Sequence, residues 1–241
     1  MKKHPYLYSF LALLIIWELI SFFIKKSFLP SPVVTLSYAG MHAGLLLKHV
    51  LASLTRIGLA VFFAVLFGCG IGIAIGRIEM IDKFLTPFLY TLYPIPKIAF
   101  LPIIMLFLGL GNASKVTLVA LILFFQIVIS TRDSVRSIHP AYFIAIKSLG
   151  STSWQSYQHV IFPAMLPGLF TSLRITIGTA ISVLFFAENY ATKAGIGYYI
   201  MDSWLKLNYT AMFAGIVTIS VMGILLFTAI DILEAHICKW T

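Results

Sequence analysis

Few side chains in this sequence could do chemistry, and those that could are scattered. The six histidines (positions 4, 42, 49, 139, 159 and 236) show no metal-ligand spacing, and no HExxH, CxxC or GxSxG occurs. Cys69 lies inside an apolar run and Cys238 near the C-terminus, so no disulfide framework is implied. No acid/base pair, nucleophile triad or metal cluster emerges. That argues against bond chemistry and leaves transport, channel or scaffold roles. What stands out is polar residues inside apolar runs. Lys97 follows Tyr93-Pro94-Ile95-Pro96, and two prolines remove two backbone donors and break a helix. A broken helix is tolerated in a membrane where it is buried in protein or faces a wet cavity. Lys97 therefore faces a cavity or a partner, or ends a helix and snorkels to headgroups. Gln126, after Phe125, needs a hydrogen-bond partner, with helix packing favoured over a passing ligand. Glu18, Arg174 and Glu188 are further ionisable groups in or near apolar runs, and Thr179 and Ser182 add hydroxyls to one of them. Glu18 could pair with a basic residue of a neighbouring helix, and Glu188 could shape a substrate mouth. Arg56 reads as interfacial. If the role is transport, the candidate solute path takes in Pro94, Pro96, Lys97, Phe125, Gln126, Thr179, Ser182 and Glu188.

The elements that position these groups follow from composition. Of 241 residues, 60% are hydrophobic and 10% charged, and mean hydropathy is +0.99. Soluble domains carry about 25% charged residues. An ordinary cytosolic enzyme, a disordered chain and a disulfide scaffold are excluded, which leaves an all-α polytopic membrane protein. The net charge of +9 is spread between apolar runs with no basic block, which fits lipid-headgroup anchoring and not nucleic-acid binding.

A spanning helix needs about 20 mostly apolar residues. About six segments qualify: 6–24, 51–76, 84–109, 116–130, 169–190 and 211–233. The first run, Tyr6–Ile24, is too long for a signal-peptide core and has no small-residue cleavage site after it, so it reads as a retained anchor. One transmembrane domain over 1–241 is expected, with no internal repeat. Gly68, Gly72 and Gly76 make overlapping small-xxx-small pairs and predict close helix packing; a phosphate-cradling loop would need a strand before it.

The stretch 131–167 reads as two short helices. Pro140 suits a first helical position, Gly150 a C-terminal stop, and Thr152 with Gln155 a capping box. Pro163 and Pro167 are expected to end the second helix before the fifth span. This is either a docking element or an interfacial hairpin. With the N-terminus inside, the inner segments carry Lys2, Lys3, Arg77, Lys83, Arg132, Arg136, Lys147 and Lys239, and the outer ones Lys25, Lys26, Lys48, Lys115, Lys193 and Lys206. Eight against six places both termini and the 131–167 loop in the cytoplasm.

That loop also carries a resemblance. Ala145-Ile146-Lys147-Ser148-Leu149-Gly150, nine residues, then Val160-Ile161-Phe162-Pro163 resembles the cytoplasmic signature of ABC importer permeases, written EAA-x3-G-x9-I-x-LP. Ala145, Gly150 and Pro163 match. Ile144 stands for the Glu, Ile146 for the second Ala, Val160 for the Ile and Phe162 for the Leu. Phe28-Leu29-Pro30-Ser31-Pro32, the His49…Ser53-Leu54-Thr55-Arg56 stretch, Tyr93-Pro94-Ile95-Pro96-Lys97, Phe107-Leu108-Gly109-Leu110-Gly111, Ala187-Glu188 and Gly195-Ile196-Gly197-Tyr198 extend it over about residues 28–235. Together they resemble the nitrate/sulfonate/taurine class of ABC permeases.

The resemblance implies a type I ABC importer permease fold (MetI-like) with a cytoplasmic coupling helix, in the cell inner membrane. It implies a permease homodimer, a cytoplasmic ABC ATPase dimer and an external substrate-binding protein as partners. ATP and Mg would be bound by the ATPase, with no cofactor or metal in this chain. Ala145, Lys147, Ser148, Leu149, Gly150, Ser151 and Pro163 fall at the ATPase-coupling positions. The solute would be small and anionic, like nitrate, a sulfonate or taurine. The competing class is a secondary carrier or channel that needs no ATPase.

Overall fold

The computed structural model describes residues 5–24 and 28–240; Lys2, Lys3, Lys25 and Lys26 lie outside that range. Among the described residues the regular structure is helical, with no strand. The elements in order are α1 (Pro5–Ile24), α2 (Pro32–Met41), α3 (Ala43–Arg77), α4 (Glu79–Leu92), a 3-10 turn (Lys97–Phe100), α5 (Leu101–Leu108), α6 (Asn112–Arg136), α7 (Pro140–Ser148), α8 (Ser153–Ser156), a π-turn (Tyr157–Ile161), α9 (Phe162–Glu188), α10 (Ile196–Leu205) and α11 (Tyr209–Ile237).

Among the described residues, four continuous helical stretches are long and apolar enough to cross a membrane: Ala43–Arg77, Asn112–Arg136, Ser153–Glu188 and Tyr209–Ile237. A fifth arises if Glu79–Leu92 and Lys97–Leu108, bent by 86°, count as one broken span. The break falls at Pro94 and Pro96, as two missing amides require. Leu11–Ile24 is a shorter apolar helical stretch.

The chain divides into two compact units. The first takes in the chain through Ser53 and Glu188–Met222; the second takes in Leu54–Ala187 and the chain from Gly223 onward. In the first unit, Trp17 donates its indole N–H to the Pro30 carbonyl (3.1 Å) and stacks on Phe213 with ring centroids 5.7 Å apart. This ties α1 to the entry of α2 and to α11. Ser31 caps α2 by accepting the Val34 amide. A Cβ on Gly215 would come within 2.6 Å of Ile200, so the bare glycine is what lets α11 lie against α10.

In the second unit the glycine stripe of α3 packs on α6. A Cβ at Gly68, Gly72 or Gly76 would lie 2.9, 2.7 and 2.9 Å from Ile127, Thr131 and Val135 respectively. The expected small-residue packing is therefore present, with three successive turns of α3 meeting three successive turns of α6. The core of α6 is fully buried at Leu118, Val119, Leu123, Ile127 and Val128. Ion pairs join further helices: Asp82 of α4 holds Arg132 (3.1 Å) and Arg136 (2.7 Å) of α6, and Arg174 of α9 holds Asp231 (2.7 Å) and Glu234 of α11.

Arg56, read as interfacial, is packed against protein: it is 4% exposed within α3, which starts at Ala43, and donates its Nε–H to Asn112 (2.9 Å). Two sequence expectations need correction. Lys115, counted as an outer-loop charge, is fully buried in the first turn of α6, its ammonium on the Leu110 and Gly111 carbonyls (3.0 and 3.3 Å). Pro163 and Pro167 do not end a helix: α9 runs through both. The π-turn Tyr157–Ile161 precedes them, so the missing amide of Pro163 falls where the ladder is already shifted.

Candidate functional site

The broken span places a lysine on the wall of a cavity. Past Leu92 the chain has no amide at Pro94 or Pro96, so the Tyr90 and Leu92 carbonyls lose the donors a continuing helix would give them. Lys97 serves the carbonyls around the break. Its ammonium donates to the carbonyls of Tyr93 (2.6 Å), Leu92 (3.2 Å) and Ile95 (3.3 Å). Three donors meet three acceptors, and the charge sits 4.6 Å from the centre of the Phe125 ring.

Around it lies a cavity of about 400 Å³ lined by Tyr93, Lys97, Phe125, Gln126, Thr176 and Thr179, with Ile122 and Ile175 as apolar wall. Gln126 is held by the Tyr93 hydroxyl, which donates to its side-chain oxygen (2.7 Å). The amide thus finds a helix-packing partner and still faces the cavity. The Thr176 hydroxyl donates to the Ser172 carbonyl of its own helix. One cation, two amide or phenol groups and two hydroxyl-bearing residues on an apolar surface can take a small polar solute.

Of the sequence-predicted path residues, Lys97, Phe125, Gln126 and Thr179 meet at this cavity, and Pro94 and Pro96 make the break that shapes it. Ser182 donates to the Gly178 carbonyl one turn back. Glu188 belongs to the first unit and is fully buried. Its carboxylate accepts from the Ser53 hydroxyl and the Gly197 amide, at the start of α10. Sequence reasoning did not single out Tyr93 or Thr176 as liners. The spacing Thr176/Thr179 was a usable signal, since i and i+3 share a helix face.

The second candidate element is α7. His139 caps it, accepting the Ala141 amide on Nδ1, and Pro140 opens it. At its end Gly150 adopts φ +75°. The Gly150 amide donates to the Lys147 carbonyl (2.9 Å) and the Ser151 amide to the Ile146 carbonyl (3.3 Å). That pair of bonds is the Schellman closure, and it wants glycine at the left-handed position. The Thr152/Gln155 capping box then starts α8. Ala145, Lys147, Ser148, Leu149, Gly150 and Ser151 thus form one element with its cap. Pro163 stands apart at the start of α9, lining a cavity with His139 and Tyr142 of α7. Tyr142, Ile144 and Leu149 are 65%, 69% and 86% exposed; exposed apolar side chains on a short, well-capped helix are what a docking surface presents.

An all-helical chain with several apolar spans, one broken beside a cation-walled cavity, and a capped helix with an apolar outer face has the makings of a membrane transport subunit. The model of the family described as binding-protein-dependent transport system inner membrane component matches residues 64–239, and the chain belongs to that family. It is 34% identical to the taurine transport system permease protein TauC of Escherichia coli (strain K12) over 90% of this chain and 82% of that protein. It is 30% identical to the putative aliphatic sulfonates transport permease protein SsuC of Bacillus subtilis (strain 168), over 95% and 84%. It is 28% identical to the nitrate import permease protein NrtB of Synechocystis, over 93% and 85%. Among solved structures, a chain of the MetNI methionine ABC transporter in an inward-facing form matches with TM-score 0.70 and 19% identity, over 81% of this chain and 97% of that one. That likeness concerns the fold, the type I importer fold expected from the sequence. The chain is thus a multi-pass permease of the inner membrane.

Proposed function

We propose that this permease passes a small anion, of sulfonate or nitrate type, through the cavity beside the broken span, driven by a separate ATPase. The observation that carries the reading is the fixed ammonium of Lys97 on the wall of that cavity, beside Gln126 and Thr179. The relatives' names, taurine, aliphatic sulfonates and nitrate, support an anion. Lys97 acts mainly by field, because its three donors are engaged. A low-dielectric wall strengthens that field, and the solute takes its hydrogen bonds from Gln126 and Thr179.

In this reading an external binding protein delivers the solute. A homodimer of the chain lines the path, with both termini in the cytoplasm. The ATPase pair seats on α7 and its Gly150 cap, and ATP and Mg reside on the ATPase, not on this chain. Closure of the ATPase pair moves α7. A nucleotide state can shift the permease only by binding one of its conformations more tightly than the other.

A mild-detergent pull-down of the tagged chain from native membranes tests this, followed by uptake in liposomes. The expected result is a stoichiometric Walker-type ATPase, and solute uptake only when ATPase, binding protein and ATP are all present. A chain that came out alone and moved solute alone would make it a secondary carrier or channel.

A further inference from the structure

Beside α7 lies a cavity whose chemistry solute passage does not use. It measures about 440 Å³ and is lined by the last turns of α3 and α6, by Ile138 after α6 and by α7. Arg77, Arg136 and Lys147 line its polar part, and Ile138, Phe143 and Ile144 its apolar part.

Two of the cations are already fixed. The Arg77 guanidinium lies 4.1 Å from the centre of the Phe143 ring, and Arg136 is tied to Asp82 at 2.7 Å. Asp82 is shared with Arg132, which also holds Asp133 (3.0 Å). Glu79 is taken by Lys83 (2.8 Å). The cavity lining thus carries three cations, Arg77, Arg136 and Lys147, and no carboxylate, while Asp82 outside the lining pairs with Arg136. Ile144 stands where the importer signature has Glu, so the cavity's edge carries a hydrocarbon side chain in place of a neutralising charge.

We propose that this cavity binds the headgroup phosphate of an anionic phospholipid, with its glycerol and first methylenes against Ile138, Phe143 and Ile144. The cavity lies at the ends of two membrane spans, where headgroups are found. Arginines favour phosphate oxygens, and basic pockets between span ends suit anionic lipids. A protein carboxylate or free phosphate would answer the cations but leave the apolar wall bare. The lipid would brace α7 against the ends of α3 and α6. Any consequence for transport rests on the docking role proposed above for α7; the binding itself does not.

The test is a titration of the purified full-length chain, and of its complex, in mild detergent. Phosphatidylglycerol and phosphatidylcholine of equal chain length are the probes, and native mass spectrometry reads bound lipid. Wild type should retain phosphatidylglycerol in preference to phosphatidylcholine. At the usual worth of one basic residue near an anionic lipid, Arg77→Gln should weaken retention about fivefold, and Arg77→Glu about 30-fold. Arg77→Lys should keep most of it. An unchanged size-exclusion profile shows that each variant is folded. Equal retention of the two lipids by wild type, or variants that bind like wild type, would overturn the proposal. So would displacement of the lipid by excess inorganic phosphate, which would make this a free-anion site. Loss of the ATPase from the complex, with lipid retention intact, would count against the docking reading alone.

Discussion

Ser53 Oγ lies 2.8 and 3.0 Å from the two carboxylate oxygens of Glu188. The same hydroxyl accepts the Ile196 amide (2.9 Å), and Glu188 accepts the Gly197 amide (2.9 Å). Two side chains thus satisfy two of the first amides of α10, and a carboxylate there also meets the positive end of the helix dipole. The Glu188 carboxylate occupies the space a Cβ on Gly195 would need. Glu188→Ala strands a buried hydroxyl and amide and should cost about 2–4 kcal/mol. Glu188→Gln keeps an acceptor and should cost less than half of that. Thermal unfolding in detergent, followed by size exclusion, measures both. An alanine variant as stable as wild type would mean that α10 does not depend on this anchor.

The α3–α6 contact offers a paired test within one helix. A Cβ at Gly72 would sit 2.7 Å from Thr131 and 2.8 Å from the Val128 carbonyl, whereas at Gly70 nothing lies within 4 Å. Neither the Thr131 Cβ nor the Val128 carbonyl can swing aside as the end of a long side chain would. Gly72→Val should therefore cost about 1–3 kcal/mol through overpacking. Gly70→Ala should be neutral or slightly stabilising, since alanine favours helix. Expression level and thermal stability of the two variants read the contrast, and equal behaviour would place the close approach elsewhere.

Gly150 tests whether the shape of α7 matters to work rather than to folding. Its φ of +75° costs a β-branched residue about 1–2 kcal/mol, enough to open the Ile146 and Lys147 closure of the helix end. Gly150→Val should insert normally in the membrane and yet lose most ATP-driven uptake, because the Leu149 side of the element is displaced. Gly150→Asn tolerates the left-handed region better and should retain more. Normal uptake by the valine variant at normal expression would remove α7 from the coupling path.

What the sequence revealed, and what it hid, divides along the range of the interaction. Pro140, Gly150 and the Thr152/Gln155 box act within a turn or two, and each is where the sequence put it; the Gly68/Gly72/Gly76 stripe announces its packing by its own spacing but not its partner in α6. Lys115 was misjudged as a loop charge because hydropathy marks the apolar stretch and not where the helix begins. Pro163 read as a stop because a π-turn has no sequence signature. The pairing of Asp82 with Arg132 and Arg136, and of Tyr93 with Gln126, joins residues dozens of positions apart, which no local pattern announces. The cavity itself was half visible: Lys97 and Gln126 stood out as polar groups in apolar runs, but Tyr93 and Thr176 did not.

Lys97 has two duties that substitution can separate. It ties the Leu92, Tyr93 and Ile95 carbonyls around the break, and it puts a positive charge beside Phe125 and Gln126. Lys97→Met removes both, Lys97→Arg keeps the charge with altered geometry, and Lys97→Glu sets a carboxylate against three carbonyl dipoles. If the charge serves the solute, Lys97→Arg should keep turnover within about tenfold of wild type. Lys97→Met should then raise the KM for an anionic solute by about 10-fold or more, the worth of about 1.4 kcal/mol. Lys97→Glu should abolish uptake. If the lysine only caps the break, Met and Glu should both lower thermal stability, while whatever protein remains folded transports at wild-type KM. Uptake kinetics and melting temperature, measured on the same preparations, separate the two. A Lys97→Glu variant with unchanged affinity and turnover would take Lys97 out of the path altogether.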